Sequence, residues 1–134
     1  VNLIGRPSIL RLGGLDILKI QKTLGFKMSI SINPKKKIAP GQSRLHYSPG
    51  IPLRMNVTKP KNDEAFIVIK RKKTKLKNYF YLTTKNNLDE AAKNLYSCLR
   101  NIKNEGYKSI AVEKIPNIGL GKAINDRLRR ASKY

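Results

Sequence analysis

Arg11 lies in a segment whose residue types are suited to binding an anion. Gly13 and Gly14 follow it, and the predicted start of a helix comes at Asp16. Backbone N–H groups at a glycine turn and at a helix N-terminus attract an anion, and an arginine adds a charged fork of donors. Strand-turn-helix corners with glycines are also common without a ligand, so the residues alone leave both interpretations open.

His46 and Tyr47 form a second candidate pair. They lie in a stretch bounded by Pro40 and Pro49, and His46 is the only histidine of the chain. Bulky rings are unusual in such a loop unless they dock on something, and that contact is either plain packing or a ligand. A single histidine without a cysteine cluster argues against a metal site, and no serine-histidine-acid arrangement is present.

The segment Gly119-Leu120-Gly121-Lys122-Ala123 follows a predicted strand and invites comparison with nucleotide-binding loops. A Rossmann fingerprint needs Gly or Ala at the position of Ile124, and a P-loop needs Ser or Thr at the position of Ala123. Both requirements fail. We therefore predict that these glycines let the turn approach the sheet closely, rather than bind a nucleotide.

The net charge is +21, from 29 basic and 8 acidic residues, and six of the basic residues fall within residues 70–77. Such a charge attracts polyanions, RNA among them, in a salt-dependent way. Lys outnumbers Arg 20 to 9, however, and the abundant Lys, Asn and Ile have A/T-rich codons, so codon usage explains the excess equally well. The run at 70–77 is most simply a solvated loop, with a phosphate site as the alternative.

Cys98 is the only cysteine, which excludes an internal disulfide and a cysteine-based zinc site. It falls on the apolar side of a predicted helix, where a free cysteine behaves as a small hydrophobic residue. This usage fits a cytoplasmic protein. No stretch approaches the roughly 20 apolar residues that span a bilayer, and the first residues do not have the pattern of a secretory signal, so no membrane contact is expected.

The elements that must position these residues fall into three regions. Residues 1–28 predict a short strand, a glycine turn and a short helix, which cannot form a core by themselves. Residues 29–52 are rich in proline and glycine and include the run Lys35-Lys36-Lys37, as expected of an extended linker. Residues 53–134 predict an α/β domain.

That domain begins with two aromatic and β-branched runs, at 66–69 and 79–82, which are typical of strands. A long helix capped by Asn87 follows, and then a strand at 109–112 and a last helix. This order predicts right-handed crossovers and a mainly parallel sheet. The last helix is expected to turn its basic side chains outward: Lys122, Arg129, Arg130 and Lys133.

Taken in order along the chain, these segments resemble the two-domain threonylcarbamoyl-AMP synthases. The linker signature of that family is similar to Ala39-Pro40-Gly41-Gln42 and His46-Tyr47-Ser48-Pro49. The end of its catalytic domain is similar to residues 9–14, and the end of its C-terminal domain to residues 94–131. The stretch from Gly119 to Ala131 is the most specific part of the resemblance.

The resemblance implies a small Rossmann-like C-terminal domain and a linker that crosses the mouth of an active site. It implies an L-threonylcarbamoyladenylate synthase, a nucleotidyltransferase that makes threonylcarbamoyl-AMP from threonine, bicarbonate and ATP for N6-threonylcarbamoyladenosine modification of tRNA. By family match, Arg11 and Tyr47 contact ATP, with His46 beside them. No catalytic residue and no metal ligand are expected in this chain, although Mg²⁺ can accompany the ATP.

Two departures bear on activity. Leu12 stands where the family usually has proline, and the chain begins just after the place expected for a Ser-Thr contact with substrate. We therefore expect the catalytic core to be missing and the chain to be inactive unless it meets a catalytic domain, in cis or in trans. The alternatives are the separately encoded regulatory half of a split synthase and a stand-alone basic RNA-binding domain. tRNA is a further candidate partner, although neither an aromatic RNP strand nor a GxxG loop is present.

Overall fold

The structure is a computed structural model that describes residues 1–31 and 48–132. The elements follow one another along the chain in this order: β1 (Ser8–Ile9), α1 (Ile17–Leu24), β2 (Ser29–Ile30), β3 (Leu53–Arg54), β4 (Ala65–Lys70), β5 (Tyr79–Thr83), α2 (Leu88–Asn104), β6 (Ile110–Val112) and α3 (Gly121–Ala131). None of these helices combines the length and apolar character that crossing a bilayer requires.

The main sheet has the strand order β3-β6-β4-β5, and each neighbouring pair is parallel. The central strand β4 is buried from Ala65 to Ile69, and β6 is buried throughout, as expected of strands covered on both faces. The prediction of an α/β domain with a mainly parallel sheet is confirmed.

Helices α2 and α3 cover one face of this sheet. The side-chain oxygen of Asn87 accepts from the backbone N–H groups of Asp89 and Glu90 at 2.8 and 3.2 Å, which confirms the predicted cap of α2. The core between the helices and the sheet consists mainly of the following buried side chains: Ile67, Leu82, Ala91, Leu95, Leu99, Ile102, Ile110, Val112, Ile124, Leu128 and Ala131.

The opposite face carries a smaller cluster, in which Phe66, Val68 and Ala111 are buried. The connection from β4 to β5, residues 71–78, contains no helix. In the strand order β3-β6-β4-β5, this connection moves the chain toward the β5 edge of the sheet. The connection from β5 to β6, which contains α2, moves the chain back in the opposite direction. Right-handed crossovers of opposite direction lie on opposite faces, so residues 71–78 run over the face that the helices leave uncovered.

The basic side chains of α3 were expected to face outward, which is wrong for Arg130 and confirmed for Arg129. Arg130 is buried and not outward-facing, because its Nε donates to the equally buried Asp126 Oδ2 at 2.9 Å, one helical turn away. Arg129 does face solvent. At Gly121, a Cβ would lie 1.9 Å from the carbonyl oxygen of Pro116, so this glycine turn does approach another backbone segment closely, but the segment is the loop after β6 and not the predicted sheet.

The N-terminal unit, residues 1–31, is a strand, a helix and a second strand. β1 and β2 pair in parallel, with Ile9 opposite Ile30, and α1 ends at Gly25 in the left-handed conformation. The predicted strand and helix are present, and β2 lies within the range predicted as linker. Residues 32–47, the rest of the linker up to Tyr47, lie outside the described residues, and the predicted domain boundaries stay a prediction.

Candidate functional site

Arg11 lies two residues after the end of β1 and lines a cleft of about 390 Å³. The strand end, the glycine turn and the first turns of α1 form the walls of this cleft, and they are mostly apolar. The side chain of Arg11 is exposed. A single guanidinium at the edge of an apolar cleft can pair with one phosphate, but it cannot surround a nucleotide.

Asp16 changes what the start of α1 can bind. Its carboxylate accepts from the backbone N–H of Leu18 at 3.0 Å and so occupies the place that a phosphate would take at this helix end. An anion at this corner would therefore depend on Arg11 and on the backbone of Gly13 and Gly14. The structure therefore offers an anion fewer donor groups than the sequence predicted, because Asp16 already occupies the start of α1.

The same corner touches the most specific segment of the resemblance. A Cβ on Gly119 would lie 3.7 Å from Asp16 Oδ2, and Leu12, Gly13, Lys122 and Ala123 close the narrow gap between the two turns. Gly119 has φ +47°, a conformation that favours glycine. The structure thus brings the Arg11 turn and the start of α3 together, although about a hundred residues separate them in the sequence.

His46 and Tyr47 lie outside the described residues, so their contacts stay a prediction. The next residues, Ser48 and Pro49, line a pocket of about 510 Å³ with Tyr96, Leu99, Arg100 and Lys103 of α2. The linker therefore meets the C-terminal domain at the side chains of α2.

The titratable groups give no sign of a nucleophile or a metal centre in the described part of the chain. Burial, with a smaller contribution from the negative charge of Glu105, raises the pKa of the Cys98 thiol to about 12. The thiol therefore stays protonated and behaves as the small hydrophobic residue that was predicted. In residues 1–31 and 48–132, no three His, Cys, Asp or Glu side chains lie close enough to hold a metal ion.

Sequence reasoning missed the polar contacts that hold α3 in place. Asn125 Nδ2 donates to the carbonyl oxygen of Ile115 at 3.1 Å, and the Asp126–Arg130 pair is buried. The spacing of Asp126 and Arg130, four residues apart on a helix, was the signal that could have indicated the pair. The contacts of the Gly119–Ala131 segment therefore hold α3 in position.

These features define a class: a small Rossmann-like α/β domain joined to a strand-turn-helix unit whose turn meets the start of the last helix. Residues 15–133 match the family described as "Threonylcarbamoyl-AMP synthase, C-terminal domain". The chain is 30% identical to a threonylcarbamoyl-AMP synthase of Pyrococcus abyssi and 26% identical to one of Bacillus subtilis, over 96% and 94% of its length.

Solved structures agree with this match. A crystal structure of a Pyrococcus abyssi protein of this family, complexed with L-threonine, superimposes with a TM-score of 0.74 at 28% identity over 95% of this chain. A variant of the Pyrococcus protein in which a histidine and the tyrosine after it are both replaced by alanine gives a TM-score of 0.68 at 25% identity, again over 95% of this chain.

The chain spans less than half of each relative: 43% and 42% of the two curated sequences and 42% of each solved chain. The family match covers most of the chain, so the chain belongs to the family of the threonylcarbamoyl-AMP synthase C-terminal domain.

Proposed function

We propose that this chain is the C-terminal part of an L-threonylcarbamoyladenylate synthase and acts only together with the family's catalytic domain. The assembled enzyme would condense threonine and bicarbonate with ATP, and the threonylcarbamoyl-AMP would serve N6-threonylcarbamoyladenosine modification of tRNA. A cytoplasmic location, favoured by the cysteine usage, is part of the same proposal.

The observation that carries this proposal is the apolar surface of the N-terminal unit. Helix α1 has no fully buried residue, although half of its side chains are Ile or Leu. A surface rich in exposed large apolar side chains indicates a site of contact with another protein. The exposed large apolar side chains of this unit are Val1, Leu3, Ile4, Leu15, Leu18, Leu24, Phe26 and Ile30.

The relatives supply a candidate for what covers this surface. Each is more than twice as long as its match to this chain, and the catalytic domain implied by the resemblance would lie in the remaining part. A catalytic domain packed on α1 and β2 would remove these apolar side chains from water. Arg11 lies in the same unit and would then sit at the boundary between the two domains.

In that assembly Arg11 would pair with a phosphate of ATP, while the catalytic domain would hold threonine and any Mg²⁺ that accompanies the nucleotide. Tyr47, with His46 beside it, would cover the nucleotide as the linker crosses the active site. His46-Tyr47 is the only His-Tyr pair in this sequence, and a His-Tyr pair was chosen for replacement in the variant of the Pyrococcus protein. That choice supports the assignment.

The test is pyrophosphate release from ATP with threonine and bicarbonate. The part of the Pyrococcus abyssi relative outside the match would be supplied as a separate chain, either with its own C-terminal part as the positive control or with this chain. We expect no release from this chain alone and partial recovery in the mixture. Threonine-dependent release by this chain alone would contradict the proposal. So would a mixture that stays inactive while the positive control works.

Tyr47→Ala in the mixture should weaken ATP binding by about 1–3 kcal/mol, provided that the ring covers the ligand and its hydroxyl is hydrogen-bonded. Tyr47→Phe is the matched control, because it keeps the ring and removes only the hydroxyl. If ATP binds equally to the parent and to Tyr47→Ala, the assignment of Tyr47 to the ATP site is wrong, even where the mixture is active.

A further inference from the structure

Six cationic side chains follow one another over the helix-free face of the main sheet. Residues 70–77, named here the basic strip, contain Lys70, Arg71, Lys72, Lys73, Lys75 and Lys77, with no acidic residue among them. Every residue from Lys70 to Lys77 is exposed. The strip therefore presents a concentrated positive charge to solvent, and it does so on the face away from α2 and α3.

The sheet holds the first part of the strip in place. Lys72 Nζ donates to Glu113 Oε1, and its ammonium lies 5.7 Å from the ring centre of Phe66. Glu113 Oε2 in turn accepts from the backbone N–H of Ile69 at 3.3 Å. In the described part of the chain Lys72 is the only strip residue in a salt bridge. The later lysines thus follow an anchored segment and keep their charges available.

The basic strip also begins at a place in the sheet where ligands commonly bind. β4 and β6 are parallel neighbours, and the chain leaves β4 toward the helix-free face but leaves β6 toward the helices. In open parallel sheets, ligands bind outside the carboxyl ends of strands at the point where connections diverge in this way. Lys70 is the last residue of β4, and Arg71 follows the carboxyl end of the strand directly.

An aromatic ring accompanies the charges. Side chains of β5 alternate between the faces, so that Phe80 and Leu82 pack toward the helices while Tyr79 and Tyr81 lie on the face of the strip. Tyr81 is 44% exposed, and the guanidinium of Arg71 lies 5.6 Å from the centre of its ring. An aromatic ring beside a charged groove is the arrangement on which bases of a single strand stack.

We propose that the basic strip and Tyr81 form a binding surface for single-stranded nucleic acid. The lysines take the phosphates, and a base stacks on Tyr81 beside Arg71. A duplex offers its phosphates but hides its base faces, so it would use the lysines without using the ring. This inference stands on the described contacts of residues 70–81 and not on the proposed synthase function.

The test measures binding of the whole chain to a labelled oligouridine of about 12 nucleotides, within the range of roughly 4–16 for single-stranded sites. An oligothymidine of equal length separates RNA from DNA, and an RNA duplex of equal length reports phosphate contacts alone. Tyr81→Leu should weaken oligouridine binding by about 5- to 100-fold and leave duplex binding unchanged, while Tyr81→Phe should keep the parent affinity.

A second pair of variants tests the charges. Neutralising four strip lysines should flatten the dependence of log affinity on log salt by about 0.7 for each lysine that contacts a phosphate. The matched control removes the same charge at exposed lysines elsewhere, and it should keep the parent slope. The strip variant replaces Lys70, Lys73, Lys75 and Lys77 with Gln, and the control does so at Lys19, Lys22, Lys93 and Lys108.

Two results would overturn the inference. If the strip variant and the control variant lose the same affinity and slope, the binding reflects net charge and not this surface. If Tyr81→Leu binds oligouridine as tightly as Tyr81→Phe does, no base stacks on the ring, and the surface is an attractor for any polyanion.

Discussion

The two parts of the described chain differ in where they place their apolar residues. In residues 48–132, the Ile, Leu and Val side chains of the main sheet and of α2 and α3 are buried against each other. In residues 1–31, Ile9 and Met28 are buried, but no side chain of α1 is, and several Leu and Ile side chains of α1 and its flanks are exposed. A sheet of four strands with two helices can enclose a core, whereas two strands of two residues with one short helix cannot. The C-terminal domain therefore encloses its own core, whereas residues 1–31 leave apolar side chains in solvent, as the proposed contact with a catalytic domain requires.

The largest change in the free energy of unfolding is expected at the buried ion pair of the C-terminal domain. Arg130→Ala leaves Asp126 buried without its partner, and we expect a loss of about 3–5 kcal/mol in the free energy of unfolding. Arg129→Ala, the adjacent exposed position, should change it by less than about 0.5 kcal/mol. Urea unfolding measures both. Equal effects at 129 and 130 would mean that α3 is not buried on the side of Arg130.

A leucine pair compares the two regions directly. Leu95 of α2 is fully buried, whereas Leu18 of α1 is 63% exposed. Leu95→Ala should cost about 2–5 kcal/mol because it leaves a cavity in the core. Leu18→Ala should cost less than about 0.5 kcal/mol in the isolated chain, since little apolar area is lost. A similar fall in unfolding midpoint for both variants would show that α1 belongs to the same packed core.

Two glycines, one in each region, allow the same comparison with smaller expected changes in stability. In Gly121→Ala, the added Cβ meets the carbonyl oxygen of Pro116, so we expect overpacking to destabilise the chain by about 1–3 kcal/mol. A Cβ on Gly13 has nothing within 4 Å, and Gly13→Ala should be neutral or stabilising by up to about 1 kcal/mol. Thermal unfolding of the two variants distinguishes these outcomes. If Gly121→Ala unfolds at the same temperature as the parent, the tight turn before α3 is not rigid.

The smallest expected effect is a dependence on pH. Arg54 donates two hydrogen bonds to Glu64, at 2.8 and 2.5 Å, and these hold the pKa of the Glu64 carboxyl below its ordinary value of 4.5. The stabilisation is therefore fully present above pH 4.5 and disappears as the pH falls through the lowered pKa. The difference in urea midpoint between the parent and Glu64→Gln should shrink below pH 4.5. Asp63→Asn, at the exposed neighbouring residue, is the control. A Glu64→Gln difference that stays constant with pH would exclude the ion pair as its source.

Much of the C-terminal domain could be predicted from the sequence, because the residue patterns that specify its helices and strands are local. The stripe of Leu95, Leu99 and Ile102 and the Asn87 cap specify α2, and the aromatic runs specify β4 and β5. The burial of Arg130 did not follow, because a basic residue on a helix is normally solvated and only the packing around α3 reveals otherwise. Strand β3 was missed because two residues, Leu53 and Arg54, are too few to form a pattern.

The candidate site was predictable only in part. The turn after Arg11 and the cap at Asp16 could be read from residue types, and the structure places them as expected. The contact of Asp16 with the turn at Gly119 depends on how distant segments pack, and no local pattern carries that information. The roles of His46 and Tyr47 came from the family resemblance, and they remain predictions.

Hydrogen exchange of the two regions, with and without a catalytic domain, tests the central claim most directly. In the isolated chain, the amides of α1 should exchange rapidly, because few contacts protect them, while those of α2 at Leu95 and Leu99 should exchange slowly. Adding the part of the Pyrococcus abyssi relative outside the match should slow exchange in α1 and β2 and leave α2 unchanged. If α1 is as protected as α2 in the isolated chain, or gains no protection on mixing while the relative's own C-terminal part does, the N-terminal unit is not an interface for the catalytic domain.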